Sequence, residues 1–329
     1  AWDGWMLMLR DYGRLRLRDV LEPAIHYAGS GHPCLPRVAD TIAGLGDFFA
    51  RVWPTSHATW LPGGTAPAPH GMLRNPALAE TWRRILAEAE SRPGREAQIE
   101  AARDAFYRGF VAETIDAWLS RTELADSAGR LHRGLLSADD MAGYAARVEA
   151  PVTGDFGDWR IAKCGAWSQG PVLLQTLAIL RGVDLAATGP FDADFVHLVC
   201  EAMKLAFADR EVYYGDPDFV SVPLDALLSE DYARKRRALI GPRADLSLRP
   251  GNLPGHAQQV AAMQDALDRL SRSDGAVYEP TMAHLARRRG DTVHLDVIDA
   301  DGNMVSATPS GGWLQSSPTV PGLGFCLNT

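Results

Sequence analysis

The chain has 329 residues, 46% of them hydrophobic and 22% charged, which is ordinary globular usage and enough for one large or two ordinary domains with a buried core. A formal net charge of −8 and a pI near 5.6 argue against a surface built to grip a phosphate backbone, so nucleic acid is not an expected partner. No apolar run approaches the roughly 18 residues of a membrane span.

Residues 2 to 43 read as helical. LRLRDVLEPAIHYAGSG places Leu17, Val20, Leu21, Ala24 and Ile25 at helical spacing and ends on Gly29 and Gly31. The stretch 53 to 76 carries five prolines and Gly63-Gly64 and reads as loop. ALAETWRRILAEAE and REAQIEAARDAFYRGFVAETIDAWL predict two helices separated by Ser91-Arg92-Pro93-Gly94. Strand character enters at VEAPVTGDFGDWRIAKC. A helix follows in PVLLQTLAILRG, with Pro171 early and Gly182 at the stop. ADFVHLVCEAMKLAFADREVYYG predicts a second, long amphipathic helix. Residues 243 to 279 are polar and punctuated by Gly and Pro, apart from a short helix around QVAAMQDALDRL.

The four cysteines, Cys34, Cys164, Cys200 and Cys326, form no CxxC pair, and most of them read as plain buried thiols. The nine histidines show no HExxH and no metal-ligand spacing, so neither metal nor cofactor is expected. The basic run Arg234-Lys235-Arg236-Arg237 reads as a solvated helix face. GAWSQG is GxxSxG rather than the GxSxG of a serine-hydrolase elbow, which makes Ser168 structural. His197 and Glu201, four apart with Lys204 and Asp209 nearby, read as a helix-packing network.

The stretch that raises a chemical question is GDTVHLDVIDADGNMVSAT. Val293, Leu295 and Val297 alternate with Thr292, His294 and Asp296, predicting a strand with the first set buried and the second on the opposite face. Asp299-Ala300-Asp301-Gly302-Asn303 is a hairpin turn and MVSAT the return strand. A threonine serves as nucleophile when something takes its proton, and one solution is its own α-amine once the chain is cut before it. That amine has a reference pKa of about 7.7–8.0, suited to general-base work near neutral pH. Such chemistry needs no histidine base, although His294 shares the expected face with Thr292.

Four blocks together resemble the γ-glutamyltranspeptidase family: YGRLRLRDVLEPAIHYAGSGHPCLPRVA (12 to 39), GLLSADDMAGYAARVEAPVTGDF (134 to 156), HLVCEAMKLAFADREVYYGDPDFVSVPLDALLSEDYARKRRALI (197 to 240) and GDTVHLDVIDADGNMVSAT. They stand in the family's order and span most of the chain. The resemblance implies a mixed α/β (α+β) chain folded as a four-layer αββα N-terminal-nucleophile hydrolase sandwich, incomplete at both ends. It implies a proenzyme cut between Asp291 and Thr292, with residues 1–291 the large-subunit portion and residues 292–329 the start of the small subunit.

Thr292 would then be the catalytic nucleophile and, through its freed amine, the base. The implied reaction is cleavage of a γ-glutamyl amide such as glutathione through a γ-glutamyl-enzyme ester, resolved by water or an acceptor amine. Departures from the family pattern lie close by. The position after the nucleophile, a second Thr in typical members, is Val293. Positions 310 and 312, where typical members carry a Thr and an Asn that support the nucleophile and the donor, are Ser310 and Gly312, flanking Gly311. Ser310 keeps a hydroxyl, whereas Gly312 has no side chain to offer, which leaves room for an acylase of the same fold acting on a glutaryl-type amide, or for a non-catalytic relative. The family's donor-carboxylate Arg is expected before Ala1, and its remaining donor and oxyanion residues after Thr329. A small-subunit portion this short is expected to expose a sheet edge.

Overall fold

The computed structural model describes residues 1–125, 129–272, 293–309 and 313–327. The chain forms two compact units, residues 1–147 together with 278–329, and residues 148–277.

In the first unit the helices are α1 (Trp2–Tyr12), α2 (Leu17–Ser30), α3 (Pro36–Arg51), α4 (Pro54–Trp60), α5 (Pro76–Glu90), α6 (Arg95–Tyr107), α7 (Phe110–Leu119) and α8 (Ala138–Gly143). The short antiparallel pairs β1 (His32–Pro33) with β2 (Met72–Leu73) and β3 (Leu124–Ala125) with β4 (Leu131–His132) join them. The helices bury a core that includes Leu17, Leu21, Ile85, Ile99, Val111 and Ile115. A second cluster, Ile42, Leu45, Phe49, Trp53 and Trp60, lies on α3, α4 and the junction between them.

The second unit comprises the hairpin β5 (Val152–Phe156) and β6 (Trp159–Lys163), then α9 (Gly170–Leu180), α10 (Ala193–Tyr213), α11 (Leu224–Leu227), α12 (Glu230–Arg237) and α13 (Ala257–Arg272). Its core joins Val172 and Ile179 of α9 to Ala202, Leu205 and Ala206 of α10. The first unit closes with the hairpin β7 (Leu295–Ile298) and β8 (Met304–Ala307) and a last short helix, α14 (Trp313–Ser316).

Several sequence expectations change. The proline-rich stretch after residue 53 contains α4, because Pro54 occupies the first helical turn, where a missing N–H costs nothing. The expected single helix over 95–119 is two, broken at Arg108-Gly109. A Cβ on Gly109 would stand 3.0 Å from the Ala105 backbone, so the chain turns where no side chain intervenes. The helix around QVAAMQDALDRL extends over 16 residues.

The basic run on α12 is not wholly solvated. Arg236 is buried against the Asp209 carboxylate at 3.1 Å and donates to the Leu205 carbonyl. Arg237 donates to the carbonyls of Ala178 and Ile179 at the end of α9. The run therefore splits, with two guanidiniums tying α12 to α9 and α10.

The buried thiols also need correcting: Cys34 is buried, but Cys164 and Cys200 are exposed. The expected packing network is present. His197 Nε2 lies 2.7 Å from the Gly241 carbonyl, and the buried Glu201 pairs with Lys204 and Arg249. Ser168 Oγ donates to Gly165 O at 2.9 Å and accepts from Gly170 N–H at 3.0 Å, closing the turn into α9.

Candidate active site

The residues expected to carry the chemistry, Asp291, Thr292, Ser310, Gly311 and Gly312, lie outside the described residues. What the structure gives is the frame that flanks them, and it begins at the turn.

Asp299 organises that turn. Its carboxylate accepts from the backbone N–H groups of Asp301 (3.0 Å) and Asn303 (2.8 Å) and from the Asn303 amide (2.8 Å). These bonds, the Asn303 side chain foremost, hold the Asp299 carboxyl below the usual range. Gly302 has φ of +82°, a conformation that glycine adopts without strain. The turn thereby sets one register: Leu295 opposite Ala307, Asp296 opposite Ser306, Val297 opposite Val305 and Ile298 opposite Met304. Val293 N–H donates to Pro309 O at 3.2 Å and carries the pairing beyond the strands. In sequence, Val293 is the neighbour of Thr292 and Pro309 the neighbour of Ser310.

Strand alternation places His294, Asp296, Ser306 and Thr308 on one face. His294 Nδ1 is 2.7 Å from Thr308 Oγ1 and its Nε2 is 2.9 Å from Asp296 Oδ2. The Ser306 hydroxyl, and then His294, hold the Asp296 carboxyl below its ordinary value. Alternation alone identified His294 and Asp296 as face-mates. Ser306 and Thr308 were missed, although the turn motif and its register could have found them. The opposite face departs from expectation: Val293, Leu295 and Val297 are all exposed, and none of the buried clusters among the described residues includes a residue of this hairpin.

On the far side of residues 310–312 the chain is firmly seated. Leu314 is fully buried among Ile42, Leu45 and Phe49. Thr319 Oγ1 accepts from Trp60 Nε1 at 3.0 Å, and Thr319 N–H donates to Ser56 Oγ at 2.9 Å. Asn75 caps α5 by accepting from Leu78 N–H and donates its own amide to Gly324 O at 2.6 Å. Burial pushes the Cys326 thiol up to about 11.

An open groove between α5 and α6, lined by Arg84, Glu88, Glu100, Asp104 and Arg108, includes no residue of the hairpin. Among the described residues no group of three or more His, Cys, Asp or Glu side chains is arranged to hold a metal, and no helix is long and apolar enough to cross a membrane.

The chain is similar to known proteins. The chain is 30% identical over its whole length to the acylase ACY 1 proenzyme of Pseudomonas sp. (strain SE83), covering 49% of that protein. It is 28% identical over 93% of its length to the glutathione hydrolase proenzyme of Escherichia coli (strain K12), covering 44% of it. Among solved structures, the cephalosporin acylase from Bacillus halodurans superposes over the whole chain with a TM-score of 0.75 at 28% identity, the match spanning 50% of that chain. The chain thus spans about half the length of the curated relatives it matches. With the gamma-glutamyltranspeptidase family model matching residues 1–329, and with a fold shared with N-terminal-nucleophile hydrolases, the chain belongs to the gamma-glutamyltranspeptidase family.

Proposed function

We propose that this chain is part of a self-processing γ-glutamyltransferase or glutathione hydrolase in which Thr292 is the nucleophile. The observation that carries the reading is the family match over all 329 residues. The hairpin whose last described pair, Val293 and Pro309, adjoins Thr292 and Ser310 in sequence supports it.

The chemistry runs in two stages. Thr292 Oγ attacks the carbonyl carbon of Asp291, and the acyl group moves from nitrogen to oxygen. Water then cleaves the ester, leaving the Asp291 carboxylate on one chain and a free α-amine on Thr292. In turnover that amine takes the hydroxyl proton as Oγ attacks the γ-carbonyl of the substrate, and returns it to the departing amine. Water or an acceptor amine resolves the γ-glutamyl ester. The subunits of the one precursor and a small γ-glutamyl donor are the partners, and the reaction needs no cofactor. Ser310, Gly311 and Gly312 take the supporting positions.

A second reading, hydrolysis of a glutaryl-type amide, is favoured by the acylase among the relatives and by Gly312, which offers no side chain to a donor's amino-acid end. Turnover of γ-glutamyl and glutaryl anilides by the full-length protein separates the two. We expect faster release from the γ-glutamyl compound and none from either with Thr292→Ala. Preference for the glutaryl compound favours the acylase, and undiminished release by the variant overturns both readings.

A further inference from the structure

Side chains of both strands of the β7–β8 hairpin form one hydrogen-bonded row. An ionised carboxylate only accepts, so the hydrogen between His294 and Asp296 sits on His294 Nε2. The other ring nitrogen, Nδ1, lies 2.7 Å from Thr308 Oγ1, and it accepts from that hydroxyl in a neutral ring and donates to it in a protonated one. The row therefore links Thr308, His294 and Asp296, with Ser306 joining at the carboxylate. It crosses from one strand to the other at the Thr308–His294 bond, beside the Val293–Pro309 pair that ends the described ladder.

A two-stranded hairpin is marginal on its own, and this one contributes nothing to the buried clusters described. Its end at Val293 and Pro309 needs some other restraint. The bond between His294 and Thr308 is the described cross-strand side-chain contact closest to that end.

We propose that His294 is a positioning residue: held by Asp296, it grips Thr308 and so fixes the end of the hairpin on which the reaction proposed above depends. It touches no reacting atom in this role. The inference rests on the reading of Thr292 as nucleophile, and it assigns to His294, Asp296 and Thr308 a task that the amine-base mechanism leaves unfilled. A bound hydroxyl at position 308 is required, whereas the methyl group of Thr308 is not.

The test follows full-length wild type, His294→Ala, Thr308→Val, Thr308→Ser and the double variant. Three quantities are measured: the rate at which a chain beginning at residue 292 appears by intact mass, the kcat and KM of processed protein on a γ-glutamyl anilide, and the melting temperature. Misplacing reacting groups by an ångström costs on the order of 100-fold, so His294→Ala and Thr308→Val are each expected to slow processing and lower kcat by roughly 10- to 100-fold. KM and melting temperature should stay close to wild type. Thr308→Ser should recover most of the rate, because it restores the hydroxyl. The double variant should be no slower than the slower single one, since the row acts as a unit.

Wild-type rates in Thr308→Val, or Thr308→Ser as slow as Thr308→Val, would overturn the inference. If those results accompany a Thr292→Ala variant that is never cut, only the role of His294 falls. If Thr292→Ala is still cut before residue 292, or an acyl adduct maps to Thr308, the reading of Thr292 falls, and the inference with it.

Discussion

Residues 293–309 and residues 313–327 are near neighbours in sequence and are held by opposite means. The hairpin is secured locally, by the Asp299 turn, four cross-strand pairs and one row of side-chain hydrogen bonds, with its apolar face exposed. The following segment has little regular structure, yet it is anchored by contacts to residues more than two hundred positions away, among them Ser56, Trp60, Asn75 and Thr81. Order near a candidate nucleophile can thus come from a strong turn on one side and from tertiary burial on the other. The two should respond differently to mutation and to pH.

The largest expected effect is on the buried side. Leu314→Ala empties a fully buried site among Ile42, Leu45 and Phe49, and should cost about 2–5 kcal/mol of global stability in a denaturant titration. Thr319→Val removes the buried hydroxyl that accepts from Trp60 Nε1 and hydrogen-bonds with Ser56 Oγ, and should cost about 1–3 kcal/mol in the same titration. Gly302→Ala meets no neighbouring atom, so its cost is backbone strain at φ of +82°, about 1 kcal/mol. That cost should fall on the hairpin alone and register as faster amide exchange at Val297 and Val305. Equal loss of global stability from Gly302→Ala and Leu314→Ala would erase the distinction.

Two smaller effects sharpen it. Asp296 and Asp299 have carboxyls held below the ordinary range by hydrogen bonds. Each therefore adds stability that is present above the unfolded pKa and lost as pH falls through the folded one. The hairpin's NMR shifts should drift toward coil values below about pH 4, while those of Leu314 and Val320 hold. Thiol labelling offers the mildest probe. Cys164 and Cys200 are exposed and should label in the native protein. Cys326, whose thiol is pushed up to about 11, and the buried Cys34 should label only on unfolding.

Much of the hairpin was legible in the sequence. Period-2 alternation and Asp-Ala-Asp-Gly-Asn set the strands, the turn and the face shared by His294 and Asp296, because these are local properties of the chain. The exposure of Val293, Leu295 and Val297 was not legible, since alternation shows which face is apolar and not whether anything covers it. Arg236 was misread for a related reason: a charge run on a helix gives no sign of a buried Asp209 arriving from α10. The anchoring of Leu314, Thr319 and Gly324 had no local signal at all, being fixed by groups on α3, on α4 and at the start of α5. For the site, the three distant sequence blocks pointed to Thr292 more strongly than the strand start itself did.

The most direct test of the central claim is the N-terminal sequence and intact mass of the chains formed when the full-length protein is incubated. The account predicts one cut, giving a fragment that begins Thr292-Val293-His294, and an uncut chain for Thr292→Ala. A wild-type protein that stays whole, or a variant still cut before residue 292, would contradict it.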